Sequence, residues 1–233
     1  MPTPQRNQSE PAAAEAATLS ERAATLVERD ILIGHLAPGA RLGIVDLVER
    51  YDIGATPLRE GLSRLVSRGL IVGIGQRGFR VADISREDLA DITAMRTAVE
   101  IEAVRLAITN GNDAWEADIL SALHQLRRHI ERTGNEFREG AEDFDRLHKG
   151  FHTALLGACG SKRMLAAHSD LYDQAYRYRR AMMRQFDSGK KFVRAHQLLA
   201  DCILSRDIPG AQAMLSEHLH STINFVYPSG SGS

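Results

Sequence analysis

Apolar residues recur along this chain in two different rhythms, and the change falls near Asp83-Ile84-Ser85. Before that point the elements are short and punctuated by glycine. Leu19 to His35, with Leu26, Val27, Asp30 and Ile31 on one face, predicts a helix closed by Ala37-Pro38-Gly39. A second short helix is expected from Ile44 to Arg50. A third is expected from Thr56-Pro57, with Thr56 capping the free N–H groups and Pro57 in the first helical position. Leu58, Leu62, Leu65 and Val66 give it a core stripe that stops at Gly69. Ile71 to Ile74 and Phe79 to Val81 read as the strands of a hairpin turned by Gly75-Gln76-Arg77-Gly78. Three helices and a hairpin within about 65 residues are the layout of a winged helix-turn-helix.

After Ser85 the rhythm is helical. Arg86–Thr109, Asp113–Arg132, Glu136–Ala158, Ser161–Phe186, Lys191–Asp207 and Pro209–Phe225 each carry an amphipathic pattern, separated by breaks such as Asn110-Gly111 and Ser188-Gly189. No fixed-period repeat is evident, so a bundle is expected rather than a solenoid. The expected fold is mainly α. Residues 1–17 read as a disordered leader, 18–83 as a winged helix-turn-helix, 84–227 as an all-helical bundle of six to seven helices, and 228–233 as a flexible tail.

Composition narrows the class. With 29 basic and 30 acidic side chains the chain is not a polyelectrolyte, so affinity for nucleic acid has to come from local charge asymmetry. That asymmetry exists. Between Ile53 and Ala82 the basic residues are Arg59, Arg64, Arg68, Arg77 and Arg80, and Glu60 is the only acid. Cys159 and Cys202 stand in helical patterns without C-x-x-C spacing, so a cytoplasmic, reducing compartment is the simpler expectation. No stretch is apolar enough to span a bilayer, and the N-terminus lacks a signal layout, so no membrane partner is expected.

Arg59 and Ser63 lie opposite Leu58, Leu62 and Leu65 on the third helix, one turn from Thr56. An apolar back with an Arg/Ser/Thr front suits a major groove, arginine reading guanine edges and hydroxyls holding phosphates. Arg64 belongs to the same basic helix, and the Gln76-Arg77-Gly78 tip can reach an adjacent minor groove or the backbone. The competing reading is a solvated basic face on a structural domain.

The histidines carry the second signal. At 100° per residue, Asp145, His148 and His152 project from one helical face, His148 about 60° and His152 about 20° from Asp145. A His-x-x-x-His pair can place two imidazoles on one metal ion. His196 and His218, on two later helices, complete a candidate four-ligand set, with Asp145 as a substitute ligand or a partner to an imidazole N–H. The competing reading for each histidine is an ordinary hydrogen-bonded residue.

Leu36-Ala-Pro-Gly-Ala-Arg-Leu42, Thr56-Pro-Leu-Arg-Glu-Gly-Leu-Ser-Arg-Leu65, Gly69-Leu-Ile71 and Arg77-Gly-Phe-Arg-Val81, in that order, closely resemble the N-terminal domain of the GntR family of bacterial transcription regulators. Phe151-His-Thr-Ala-Leu-Leu-Gly-Ala-Cys-Gly-Ser161, with the later His196 and His218, resembles the effector domain of its FadR/VanR (FCD) branch. The run Leu171-Tyr-Asp-Gln-Ala-Tyr-Arg-Tyr-Arg179 together with His148 is similar to CsiR-type members, which respond to small dicarboxylates such as glutarate. The resemblance covers about residues 18–226. It implies a homodimeric regulator, with the sign of control left open though most relatives are repressors. It would bind double-stranded, pseudo-palindromic operator DNA through Thr56, Arg59 and the wing around Arg77 and Gly78. It implies a divalent metal, Zn2+ before Ni2+ or Mn2+, and a small carboxylate effector. Arg96 stands where the branch places a pocket arginine, with Tyr172, Arg177 and Arg179 as further pocket candidates. For Arg96 a surface pair with Glu100 is the competing reading.

Two departures matter. Ala55 stands where many members carry a base-reading arginine, and His148 stands where they carry an aspartate. Four neutral imidazoles leave a divalent ion with its full charge, which favours an anionic ligand. Two other readings stay open at this point, a metal-dependent helical-bundle enzyme and a regulator for which the metal is the signal.

Overall fold

The computed structural model describes residues 9–134, 141–182 and 188–227, and among these the side chains of all but 9–17, 76 and 182. The chain forms two compact units, Met1–Asp83 and Ile84–Ser233.

The first unit is built from α1 (Ser9–Leu32), β1 (Arg41–Leu42), α2 (Ile44–Tyr51), α3 (Ala55–Ser67), β2 (Ile71–Gly73) and β3 (Phe79–Val81). The strands form one antiparallel sheet in the order β1-β3-β2, and a single 3-10 turn at Gly75–Arg77 makes the tip of the wing. There the Ile74 N–H donates to the Gly78 carbonyl at 2.8 Å, and Gly78 takes φ 94°, a conformation open to glycine and strained for other residues. Ala23, Val27 and Ile31 of α1 pack with Leu58, Leu62 and Leu65 of α3 in one buried core. Gly61 lets the two helices cross closely. A Cβ there would lie 2.8 Å from the Ser20 carbonyl oxygen and 2.9 Å from the Ala24 nitrogen.

Two sequence expectations are corrected in this unit, and one strand was not anticipated. Helix α1 begins at Ser9, inside the stretch read as a disordered leader. The cap of α3 is Gly54, which makes no side-chain bond, and the helix starts at Ala55, so Thr56 is not the cap. Strand β1 had no counterpart in the pattern, because two residues are too few to show alternation.

The second unit comprises α4 (Arg86–Asn110), α5 (Asp113–Thr133), α6 (Glu142–Leu156), α7 (Lys162–Met182), α8 (Gly189–Leu204) and α9 (Ile208–Val226). The expected beginning at Glu136, the expected end at Phe186 and the tail from Pro228 lie outside the described residues. Ser85, Asn112, Ser188 and Asp207 cap their helices by accepting backbone N–H groups. Helix α4 is the axis of the bundle and packs against α7 and α9, while α5 lies against α6 and α8. Its buried stripe runs Leu89, Ile92, Thr93, Arg96, Glu100, Ala103, Val104, Ala107. The stripe keeps helical spacing from end to end but is ionic in the middle, at Arg96 and Glu100.

Candidate functional site

The first candidate surface is the front of α3 with the wing. Thr56, Arg59, Ser63 and Arg77 are exposed, and neither Arg59 nor Arg77 has an ion-pair partner among the described residues. Other arginines of the basic stretch are neutralised from outside it. Arg64 pairs with Glu21 at 3.3 Å, Arg68 with Glu28 at 2.6 Å, and Arg80 with Asp83. Arg59 and Arg77 are thus the arginines of this stretch with no ion-pair partner among the described residues. Arg64 is spent partly on the α1–α3 contact, and the Gln76 side chain lies outside the described residues.

The second candidate site lies inside the bundle. The one-turn spacing on α6 brings His148 and His152 to the same face, and α8 and α9 bring His196 and His218 to meet them. Their ligand atoms all lie within 4.8 Å of one another. His148 Nε2 is 3.0 Å from His196 Nε2 and 3.1 Å from His152 Nε2. Phe192 stacks on His196 with ring centroids 4.1 Å apart, and Phe144 and Phe151 close the apolar side. Burial, together with other imidazoles and the positive charge of Arg96, holds His148, His152 and His218 well below the usual histidine range, with Arg179 adding to the effect at His148 and His218. Burial likewise brings His196 down to about 4. The cluster is neutral at pH 7, the form that can ligate a metal.

The donor set fits a divalent ion. The Phe192 carbonyl can only accept, so His196 Nδ1 carries the proton that bonds to it at 2.8 Å, and the Nε2 lone pair is left facing the cluster. His148 Nε2 faces two nitrogens at once, and one proton serves only one of them well. A shared cation would satisfy all three Nε2 lone pairs. Nitrogens about 2.0–2.1 Å from a common ion stand roughly 2.8–3.4 Å apart for bond angles between a right angle and the tetrahedral value, a range that includes the His148–His196 and His148–His152 separations. Asp145 does not join this group. It accepts a hydrogen bond from Tyr176.

Beside the cluster lies a buried ionic network. Arg96 Nε donates to Glu100 Oε1 at 2.7 Å, and the two side chains are 4% and 1% exposed, so the pair is not the surface pair weighed from sequence. His168 Nδ1, wholly buried, lies 3.1 Å from Glu100 Oε1. Burial alone would push the Glu100 carboxyl up, but Arg96 and His168 outweigh it and hold it down at about 2. The Tyr172 ring sits where these groups meet. Its centroid is 6.0 Å from that of His148 and 5.9 Å from that of His152, with the Arg96 and Arg179 guanidinium carbons at 5.3 and 4.8 Å. Lys149, ion-paired to Asp173, completes the cationic surround. Arg177, also buried, stands five residues from Tyr172 on a different helical face, and its charge acts on Tyr178. Arg179, another of the pocket candidates, lies over the Tyr172 ring. Glu100 and His168 were not singled out from sequence. The signal available was their helical phase, since position 100 continues the α4 stripe and position 168 lies one turn before Tyr172.

A winged helix-turn-helix followed by a helical bundle that buries a histidine cluster is the architecture of a class of DNA-binding regulators. Residues 19–81 match the family of bacterial regulatory proteins, gntR family, and residues 91–221 match the FCD domain. The chain is 34% identical over 210 residues to the HTH-type transcriptional repressor GlaR of Escherichia coli (strain K12), covering 88% of this chain and 94% of that protein. It is 36% identical over 197 residues to the uncharacterized HTH-type transcriptional regulator BphR of Paraburkholderia xenovorans (strain LB400), covering 84% and 80%. The solved structure of E. coli McbR/YncC shares the fold with a TM-score of 0.75 at 22% identity, over 90% of this chain and 97% of that one. The chain belongs to the GntR family of transcription regulators and carries an FCD domain, the domain type that binds small-molecule effectors. It is a regulator and not an enzyme, which removes the catalytic reading of the histidines. No helix among the described residues is long and apolar enough to cross a membrane.

Proposed function

We propose that the chain is a ligand-responsive repressor that binds a pseudo-palindromic operator as a homodimer. In this reading Thr56, Arg59 and Ser63 meet the major groove while Arg77 and Gly78 of the wing meet the backbone or the adjacent minor groove. His148, His152, His196 and His218 hold a divalent ion, Zn2+ in preference to Ni2+ or Mn2+, because an all-imidazole set suits the later first-row metals. When bound, the ion supplies a positive centre for a carboxylate oxygen. Arg96 and Arg179, ranged over the Tyr172 ring, steer and orient the rest of a small organic acid. The single observation that carries this reading is the convergence of four neutral imidazoles beside a buried, cation-rich wall. The name of the GlaR relative supports repression rather than activation.

A second reading, in which the ion itself is the signal, is supported by the number of imidazoles, since four donors are as many as a tetrahedral ion takes. A gel-shift titration on DNA upstream of the gene decides between them. Release of DNA by a C4–C6 dicarboxylate or an aromatic acid, but not by chelator alone, supports acid sensing. Release by chelator alone supports metal sensing. Failure of the wild type to bind any promoter fragment in a salt-sensitive way contradicts both.

A further inference from the structure

Helix α7 touches two places that matter. Tyr172 faces the histidine cluster, while Tyr178, six residues on and therefore about 9 Å further along the helix, faces the start of α4. Tyr178 is wholly buried. Its hydroxyl accepts the Ser85 backbone N–H at 3.1 Å and donates to the Asp88 carboxylate, so one phenol holds both the cap residue and the first turn of α4. Ser85 is the second residue of the helical unit, immediately after the Asp83–Ile84 boundary.

The surroundings repeat the arrangement. Tyr178 packs in a small core of its own with Leu89 and Ile92 of α4, Ala175 of α7 and Val226 of α9, separate from the main core of the bundle. Each of these three helices also carries a residue of the histidine site: Arg96 on α4, Tyr172 on α7 and His218 on α9. The small core is thus the far end of the same three helices that wall the site.

Packing alone does not call for the hydroxyl. A phenylalanine would fill the same space, whereas the phenol needs and finds two partners, both at the point where the chain enters the unit. A shift of α7 driven from Tyr172 displaces this hydroxyl from Ser85 and Asp88, and two directional bonds respond to such a shift more sharply than apolar contact does.

We infer that Tyr178 is the positioning residue through which occupancy of the histidine site sets the order of the chain at residues 84–89. This rests on the reading of the cluster as the sensing site, and the test separates the two. Hydrogen exchange is measured on the full chain with and without Zn2+ alone, following the amides of residues 84–89, among them the Ser85 N–H bonded to Tyr178. In the wild type Zn2+ is expected to change exchange in this segment by about fivefold or more, the low end of ordinary coupling between sites. In Tyr178→Phe, Zn2+ still binds but exchange in the segment changes less than about twofold. Asp88→Ala, at an exposed position, removes the phenol's acceptor without touching the core and is expected to blunt the response in the same direction; it decides the matter if Tyr178→Phe does not fold. An equal Zn2+ effect in the wild type and in the folded variants overturns the inference, as does Zn2+ binding by the wild type without any change at residues 84–89. Absence of Zn2+ binding by the wild type overturns the sensing site itself, and the inference with it.

Discussion

Arg96 and Glu100, one helical turn apart on α4, form an ion pair at 2.7 Å with both side chains almost wholly removed from solvent. Removing one partner of such a pair leaves a buried charge uncompensated, a loss of about 3–5 kcal/mol where exposed helix pairs are worth only tenths. Glu100→Gln is therefore expected to lower the urea midpoint of the helical unit strongly. The exposed pair Arg105–Glu102 on the same helix supplies the control, and Glu102→Gln should change stability by less than about 0.5 kcal/mol.

The same carboxyl gives a pH signature. Its pKa is lowered in the folded chain from the ordinary 4.5 to about 2, so the unfolded chain binds the proton more readily between those values. The stabilisation from Glu100 is fully present above about pH 4.5 and is lost as pH falls towards 2. Urea midpoints of wild type and Glu100→Gln, compared from pH 7 to pH 2.5, should differ by a constant amount above pH 4.5 and converge below it. A gap that widens on acidification contradicts the assignment.

On the DNA side, the ion pairs divide the arginines into two groups. Arg59→Ala should weaken operator binding by ~1–3 kcal/mol, and Arg77→Ala should lower the salt dependence of binding by about one counterion. Arg68→Ala, which removes a charge already satisfied by Glu28, should affect DNA affinity far less than Arg59→Ala. Fluorescence anisotropy at several salt concentrations reads all three.

Gly61→Ala tests the α1–α3 crossing. The added Cβ meets backbone atoms of α1 below 3.0 Å, and backbone has little freedom to yield. A loss of ~1–3 kcal/mol in the stability of the first unit is expected, read by thermal unfolding.

These residues also show how far the amino-acid pattern reaches. Leu58, Leu62 and Leu65 declare their helix because their spacing is local, and the His148–His152 pair is legible for the same reason. His196 and His218 are tied to that pair only by tertiary packing, so their place on later helices offers them as a candidate set without favouring them over the other histidines, and the family resemblance is what strengthens the choice. The pairing of Arg64 and Arg68 with Glu21 and Glu28 bridges some 40 positions, which no window along the chain can see. Arg96 and Glu100 look like a solvent-facing i,i+4 pair until their phase is set against Leu89, Ile92, Ala103 and Val104, which places them in the core stripe. Thr56 was misread as a cap because a threonine before a proline is a strong local start signal, yet the helix begins one residue earlier, at Ala55, with Gly54 at the cap.

The most direct test of the sensing site is a calorimetric titration of Zn2+ into the metal-free full chain, in parallel with His152→Ala. One ion per chain is expected, with affinity weakened at least about 10–100-fold in the variant, since losing a ligand costs more than losing a partner behind one. Saturable binding that is unchanged in His152→Ala, or no saturable binding by the wild type, contradicts a metal centre built from His148, His152, His196 and His218.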